Sequence, residues 1–207
     1  MKTVDKSQEP ASFTSWKNLE NDDWKPSWNN FQNPQKAELL ERLIFDQKGI
    51  CCYCECRISV ANSHIEHLVP RSASVDLRLE FTNLVASCLK ETEKGQPLTC
   101  GKARGDWNEV GYLSPCDPNA RDEIVYYMDG KVSAKSRHNE VFVTKLNLNS
   151  RLKVDGRLAA ASVIVEDGDL TDADVRQLLA AMLQQDELPE YISFLISAAN
   201  ENFGISL

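Results

Sequence analysis

The stretch CCYCECRISVANSHIEHLVPRS, residues 51–72, crowds four cysteines and two histidines into one short run. Such a run reads as a zinc clip, a hydrolytic centre or a patch of buried thiols, and the rest of the chain has to choose among them.

The chain has 207 residues, 42% hydrophobic and 26% charged, an ordinary globular composition for one good-sized domain or a small module wrapped in helices. No apolar run approaches bilayer length, and the opening MKTVDKSQEP lacks the apolar core of a signal peptide. A soluble, cytoplasmic protein with no membrane partner is expected. In that compartment the seven cysteines stay reduced, so clustered ones hold metal rather than form disulfides.

The formal charge of -8 argues at first against a nucleic-acid partner. Its distribution softens the objection. From Leu158 onward one basic residue, Arg176, faces nine acidic ones, leaving 22 basic and 22 acidic side chains in residues 1–157. A neutral body can present a local basic groove, and only the acidic end must stay clear of phosphates.

Around the cysteine run, NPQKAELLERLIFDQKG predicts a helix with Leu39, Leu40, Leu43 and Ile44 on one face and Gly49 stopping it. Before it lies an extended arm carrying Phe13, Trp16, Trp24, Trp28 and Phe31, interleaved with Lys17 and Lys25. These aromatics either stack on bases or pack the arm onto the domain. After the cysteines, RISVANSHIEHLVP predicts two short strands, EFTNLVASCLKE a helical turn, and residues 91–101 a loop. EIVYYMDGKVSA is a hairpin turning at Asp129-Gly130. Three helices follow: SRLKVDGRLAAASVIV, TDADVRQLLAAMLQQ with Thr171 and Asp174 in capping-box relation, and one starting at Pro189.

Cys51 and Cys54 form a Cys-x-x-Cys pair, the spacing that lets two thiolates reach one zinc ion. Cys88 and Cys100 would complete a tetrahedron, since a loop between two ligands adds little closure entropy. Cys100 is preferred to Cys116, which precedes Asp117-Pro118 in a separate turn. Cys52 and Cys56 are expected to turn away from the ligand side or into the core. Between the pairs, Glu66 and His67 supply a carboxylate for a hard cation and an imidazole able to take a proton from water. Phosphodiester hydrolysis uses both.

Cys51-Cys52-Tyr53-Cys54, then His64-Ile65-Glu66-His67-Leu68-Val69-Pro70, then Phe81-Thr82-Asn83-Leu84 leading to Cys88, with Cys100-Gly101 and Arg104 beyond, resemble the HNH endonuclease family. FDQKGICCYCE, HIEHLVPRS, FTNLVASC and KLNLNSRLKVDGR extend the likeness over most of residues 10–160. It is greatest to the HNH subunit (PtuB type) of Septu and retron-linked phage-defence systems. The resemblance implies that His67 is the general base, that Glu66 binds a catalytic Mg²⁺ or Mn²⁺, and that Asn83 braces the loop holding His67. His64 either supports the site beside the scissile phosphate or packs as a core histidine. Arg71 and Arg104 either contact phosphate or lie on a solvated face. The chain departs from the family where His or Asn usually follows the last zinc cysteine. Here Asp106 or Asn108 would have to reach in, or Lys102 would supply a fixed charge, or the ion would rest mainly on Glu66.

The resulting expectation is an α+β fold: a zinc-stapled ββα-metal core at 33–135, an aromatic arm at 1–32, and a helical region at 136–207, acidic after 158. The likeness further implies DNA, or alternatively RNA, as substrate, a PtuA-like ATPase partner subunit, and homodimers within a larger complex. A zinc-stabilised binding module with a degenerate site is the competing expectation. The last two helices either cap the core or dock a partner.

Overall fold

Aromatic and leucine spacing sets the first layer of the fold. The computed structural model describes residues 1–89, 95–109, 111–165 and 170–206. Helix α1 (Ala11–Lys17) follows Pro10 and buries Phe13 and Trp16, three positions apart and therefore on one side. Phe31 closes over both, with ring centroids 4.9 Å from Phe13 and 4.7 Å from Trp16. The arm is thus not extended throughout. Its aromatic spacing suits a helical turn packed on α2 (Gln35–Asp46), which buries Leu39, Leu40 and Leu43. That helix ends where Lys48 and Gly49 turn to positive φ and the Gly49 amide donates back to Ile44.

Strands β1 (Ser63–His67) and β2 (Leu84–Cys88) pair antiparallel, from Ser63 opposite Cys88 to His67 opposite Leu84. Two corrections arise here. LVASC, expected as part of a helical turn, is a strand buried at all five positions. A short unbroken apolar run carries no periodicity to separate strand from helix, and pairing to β1 decides. Of the two strands expected over 57–70 only β1 forms; Arg57 contributes a single bridge to Ile50. Short 3-10 turns at Asp76–Leu79 and Phe81–Asn83 fill the connection between the strands.

Helix α3 (Cys100–Arg104) follows and packs on β2, beginning inside what was expected to be loop; residues 91–94 of that loop lie outside the described residues. Helix α4 (Ala120–Glu123) leads into the hairpin β3 (Ile124–Tyr126) and β4 (Val132–Ala134), which turns at Asp129-Gly130 as expected. Gly130 has φ 79°, and a side chain there would meet the Val154 carbonyl at 2.9 Å. Helix α5 (Arg137–Lys145), capped by Ser136 accepting from the Asn139 amide, falls within the region expected to be helical from 136 onward, though it was not singled out as an element. Helices α6 (Arg151–Val165), α7 (Asp172–Leu183) and α8 (Ile192–Phe203) complete an α+β architecture of helices around two small sheets. The Thr171–Asp174 capping box forms. Helix α8 starts at Ile192 rather than Pro189 because Tyr191 takes a left-handed conformation and its amide donates to the Glu55 carbonyl.

Two apolar clusters result. One runs from the N-terminal segment through α2, the cysteines and β2 to α5; the other joins Ile50 to α6, α7 and α8. Glu55, buried between Cys54 and Cys56, stitches them together. It accepts from the Lys2 amide at 2.6 Å, the Ser193 amide at 2.9 Å and the Ser193 hydroxyl at 2.7 Å. Helix α8 therefore caps the cysteine segment through a carboxylate whose oxygens are satisfied by both ends of the chain.

Candidate metal and catalytic centre

The first site grows from the knuckle at Cys51–Cys56. The Glu55 amide bonds the Cys51 carbonyl, the Cys51 amide bonds the Cys56 carbonyl, and Glu55 adopts φ 64°. That turn aims Cys51 and Cys54 inward. Cys88 arrives at the end of β2 and Cys100 at the start of α3. All four sulfurs are buried and lie within 4.8 Å of one another. The Cys54 and Cys88 sulfurs are 3.8 Å apart, the edge of a tetrahedron whose Zn–S bonds are about 2.3 Å. This donor set can hold a structural metal such as zinc. Burial opposes ionisation of these thiols, yet hydrogen bonds from neighbouring thiols hold Cys51 and Cys54 well below the ordinary range.

Two further groups belong to this site. Cys56, expected to turn away, lies 3.3 Å from Cys54. Lys153 of α6, only 4% exposed, brings its ammonium to 3.4 Å from the Cys56 sulfur and 3.6 Å from Cys88. Burial works against that charge, but the surrounding cysteine sulfurs, Cys54 first, more than offset it and raise its pKa. Lys153 escaped the sequence reading because its only signal is a lysine on the inner side of α6, in a segment noted for other reasons.

The second site lies at the other end of β1. Glu66 is 7% exposed. Arg104 of α3 meets its Oε1 at 2.6 Å, and the Tyr53 hydroxyl donates to the same oxygen at 3.3 Å. His64, two positions back along the strand and so on the same face, brings Nε2 to 3.4 Å from Oε2. Gly101 lets α3 approach: a Cβ there would fall 2.5 Å from Oε2. Arg104, one of the two candidate phosphate contacts, is instead buried; it also donates to the carbonyls of His67 and Leu68.

His67 is buried beneath the edge of Trp28, with ring centroids 4.3 Å apart. Its Nε2 meets the Arg78 carbonyl at 3.1 Å. A carbonyl only accepts, so Nε2 carries the proton and Nδ1 keeps its lone pair. Burial pushes the imidazole down to about 4, aided by the Arg71 charge and opposed by the Arg78 carbonyl. The ring is therefore neutral, and basic at Nδ1, throughout the physiological range.

Asn83 clamps the loop behind His67: its Oδ1 accepts from the Val69 amide at 2.7 Å, and its Nδ2 donates to the carbonyls of Val69 at 3.1 Å and Leu77 at 2.9 Å. Arg71 lies 5.8 Å and Lys36 5.0 Å from the Trp28 ring, gathering positive charge beside His67. Asp106 and Asn108 lie past Gly105 at the end of α3 with exposed side chains, and Lys102 within α3 is exposed too. The expected set thus divides: His64 and Glu66 pair on one face of β1, His67 and the Asn83 clamp sit together against the 69–78 loop, and Asp106 stands at the surface. Glu66 Oε2, which Arg104 does not bind, is the oxygen of this second site that could hold a hard cation.

No family model matches the chain. It is similar to the "Retron Vc95 putative HNH endonuclease" of Vibrio cholerae serotype O1 biovar El Tor, 29% identical over 116 residues, covering 55% of this chain and 54% of that protein. It is also similar to the "Retron Ec83 putative HNH endonuclease" of Escherichia coli, 24% identical over 164 residues, covering 67% of this chain and 61% of that protein. The chain thus spans between half and two thirds of the length of these curated relatives. The likeness supports an HNH endonuclease family. Among the described residues no helix is long and apolar enough to cross a membrane.

Proposed function

We propose that this chain is a metal-dependent endonuclease that hydrolyses phosphodiester bonds of DNA or RNA, with the hairpin, α3 and a structural zinc forming an HNH core. The observation that carries the reading is His67: an imidazole kept neutral by burial, its tautomer fixed by the Arg78 carbonyl, one residue from a buried carboxylate. Such a group can take the proton from an attacking water at Nδ1. Asn83 holds the loop that presents it. Glu66 would hold the catalytic Mg²⁺ or Mn²⁺, which supplies Lewis-acid stabilisation of charge developing on the phosphate and the leaving oxygen. Arg71 and Lys36 would meet the phosphates, and the Trp28 ring between them would steady a base or sugar.

The likeness of the sequence to the HNH subunits of Septu and retron-linked systems suggests a wider role, of which the relatives' names carry the retron part alone. The chain would be the nuclease effector of a cytoplasmic, Septu-like phage-defence complex with an ATPase subunit. The acidic residues after 158 would then face protein rather than nucleic acid, because they oppose the counterion release that drives phosphate binding. One observation favours a second reading, a zinc-stabilised binding module: Arg104 already neutralises Glu66. The experiment that separates the two is co-purification with the neighbouring gene product, followed by cleavage assays on DNA and RNA in Mg²⁺, Mn²⁺ and EDTA. Cutting that EDTA abolishes supports the nuclease. Full complex assembly without cutting in any metal supports the module.

A further inference from the structure

His64 does not have the geometry of a settled hydrogen-bond partner. A neutral imidazole N–H donating to a carboxylate closes to about 2.7–2.9 Å, whereas Nε2 stands 3.4 Å from Glu66 Oε2. Two ligands bound to one cation at about 2.1 Å each, roughly at right angles or wider, are held about 3.0–3.4 Å apart. The separation here is that of a shared ion. On the other side of the ring, His64 Nδ1 is buried with no hydrogen-bond partner among the described residues. No neighbour therefore fixes the tautomer, and Nε2 is free to be the unprotonated, ligating nitrogen.

Three neighbours arrange the pair. Arg104 and Tyr53 both bind Oε1, which orients the carboxylate and leaves Oε2 turned to His64. Gly101 lets the α3 backbone pack against the carboxylate and so helps fix its orientation, since any side chain there would collide with it. His64 is only partly buried, unlike Glu66, so the pair opens toward solvent on the histidine side.

The geometry points to His64 Nε2 as the second protein ligand of a divalent cation held by Glu66 Oε2, in place of Asp106 and Asn108, whose side chains are exposed. The donor chemistry sets the preference. Mg²⁺ dehydrates reluctantly and is held by oxygen, while an imidazole favours first-row transition ions. A mixed nitrogen–oxygen pair binds Mn²⁺, Co²⁺ or Ni²⁺ ahead of Mg²⁺. This inference rests on reading the centre as a metal-dependent phosphodiesterase, but its test does not.

Full-length, zinc-loaded protein is titrated with Mn²⁺ alone, and free ion is counted by electron paramagnetic resonance. The expected result is one Mn²⁺ per chain beyond the zinc, with affinity falling at least about tenfold in His64→Ala and in Glu66→Gln while zinc content and circular dichroism stay unchanged. His64→Asp, which exchanges nitrogen for oxygen, is expected to retain the ion and narrow the preference for Mn²⁺ over Mg²⁺. If His64→Ala does not fold, His64→Gln, similar in polarity but a poor ligand, is titrated in its place. Equal Mn²⁺ affinity in wild type and the His64 variant overturns the assignment, as does absence of any Mn²⁺ site at millimolar ion. A parallel cleavage assay keeps the two ideas apart. Mn²⁺ bound through His64 in a protein that cuts neither DNA nor RNA upholds the site and defeats the nuclease reading. Metal-dependent cutting undiminished in His64→Ala upholds the nuclease and defeats the site.

Discussion

Cys88 and His67 stand at opposite ends of the same strand pair, the first opposite Ser63 and the second opposite Leu84. At the cysteine end, four buried sulfurs and a fifth beside them have the Lys153 ammonium against them, within 3.6 Å of Cys56 and Cys88. At the histidine end, the single buried carboxylate already has its own guanidinium, Arg104. Thiolates packed within van der Waals reach repel one another unless a cation joins them, so the cysteine end is suited to a structural metal such as zinc, whose binding would be coupled to folding. The carboxylate end is electrically satisfied by the chain itself, and any ion there adds chemistry rather than stability. One strand pair thus carries both, a candidate structural end and the proposed working end.

The largest effect should come from the cysteine end. Cys54→Ser removes a ligand from a site worth on the order of 10 kcal/mol of folding free energy, so the variant is expected to be insoluble or to lack a cooperative melt and to carry no zinc by elemental analysis. A well-folded, zinc-free variant would erase the contrast between the two ends. At the histidine end, Arg104→Met leaves Glu66 buried without its charge partner and should destabilise the protein by about 3–5 kcal/mol, read by urea denaturation, with zinc retained in whatever remains folded. A loss below 1 kcal/mol would mean that Glu66 is not satisfied by Arg104.

The pH response sharpens the same contrast. His67 titrates near 4 in the folded chain against 6.5 unfolded. The unfolded state therefore binds the proton first, and stability present above pH 6.5 is lost as pH falls toward 4, by on the order of 3 kcal/mol at most. Comparing wild type with His67→Gln at each pH isolates this contribution, because acid loss of zinc is common to both. Identical pH profiles for the two would contradict a neutral, buried His67. The smallest effect concerns Lys153→Met, which keeps the bulk of the side chain but removes the charge beside the thiolates. Zinc transfer to a chromogenic chelator should become about 10–100-fold more favourable, the usual weight of a group just outside the ligand set.

Much of this was legible in the chain because it was local. The Thr171–Asp174 capping box, the Asp129-Gly130 hairpin and the leucine face of α2 are each decided within a dozen residues, and the Cys-x-x-Cys knuckle carries its ligand geometry in its own turn. The misses were tertiary. LVASC became a strand because β1 lies beside it, and Trp28 reached His67 only by way of the folded arm. Arg104 reads as a solvent-facing or phosphate-binding arginine until α3 packs on β2 and brings it against Glu66. The glycine that permits that approach, Gly101, leaves no trace in hydropathy or charge.

The most direct test of the working end is cleavage by His67→Ala. Imidazole removal at a general base lowers the rate by about two to four orders of magnitude. In single-turnover assays with wild-type protein as reference, the variant should keep its zinc and its fold while losing cleavage by that factor. Cleavage by zinc-loaded His67→Ala at the wild-type rate would contradict the account and move the reaction away from this hairpin.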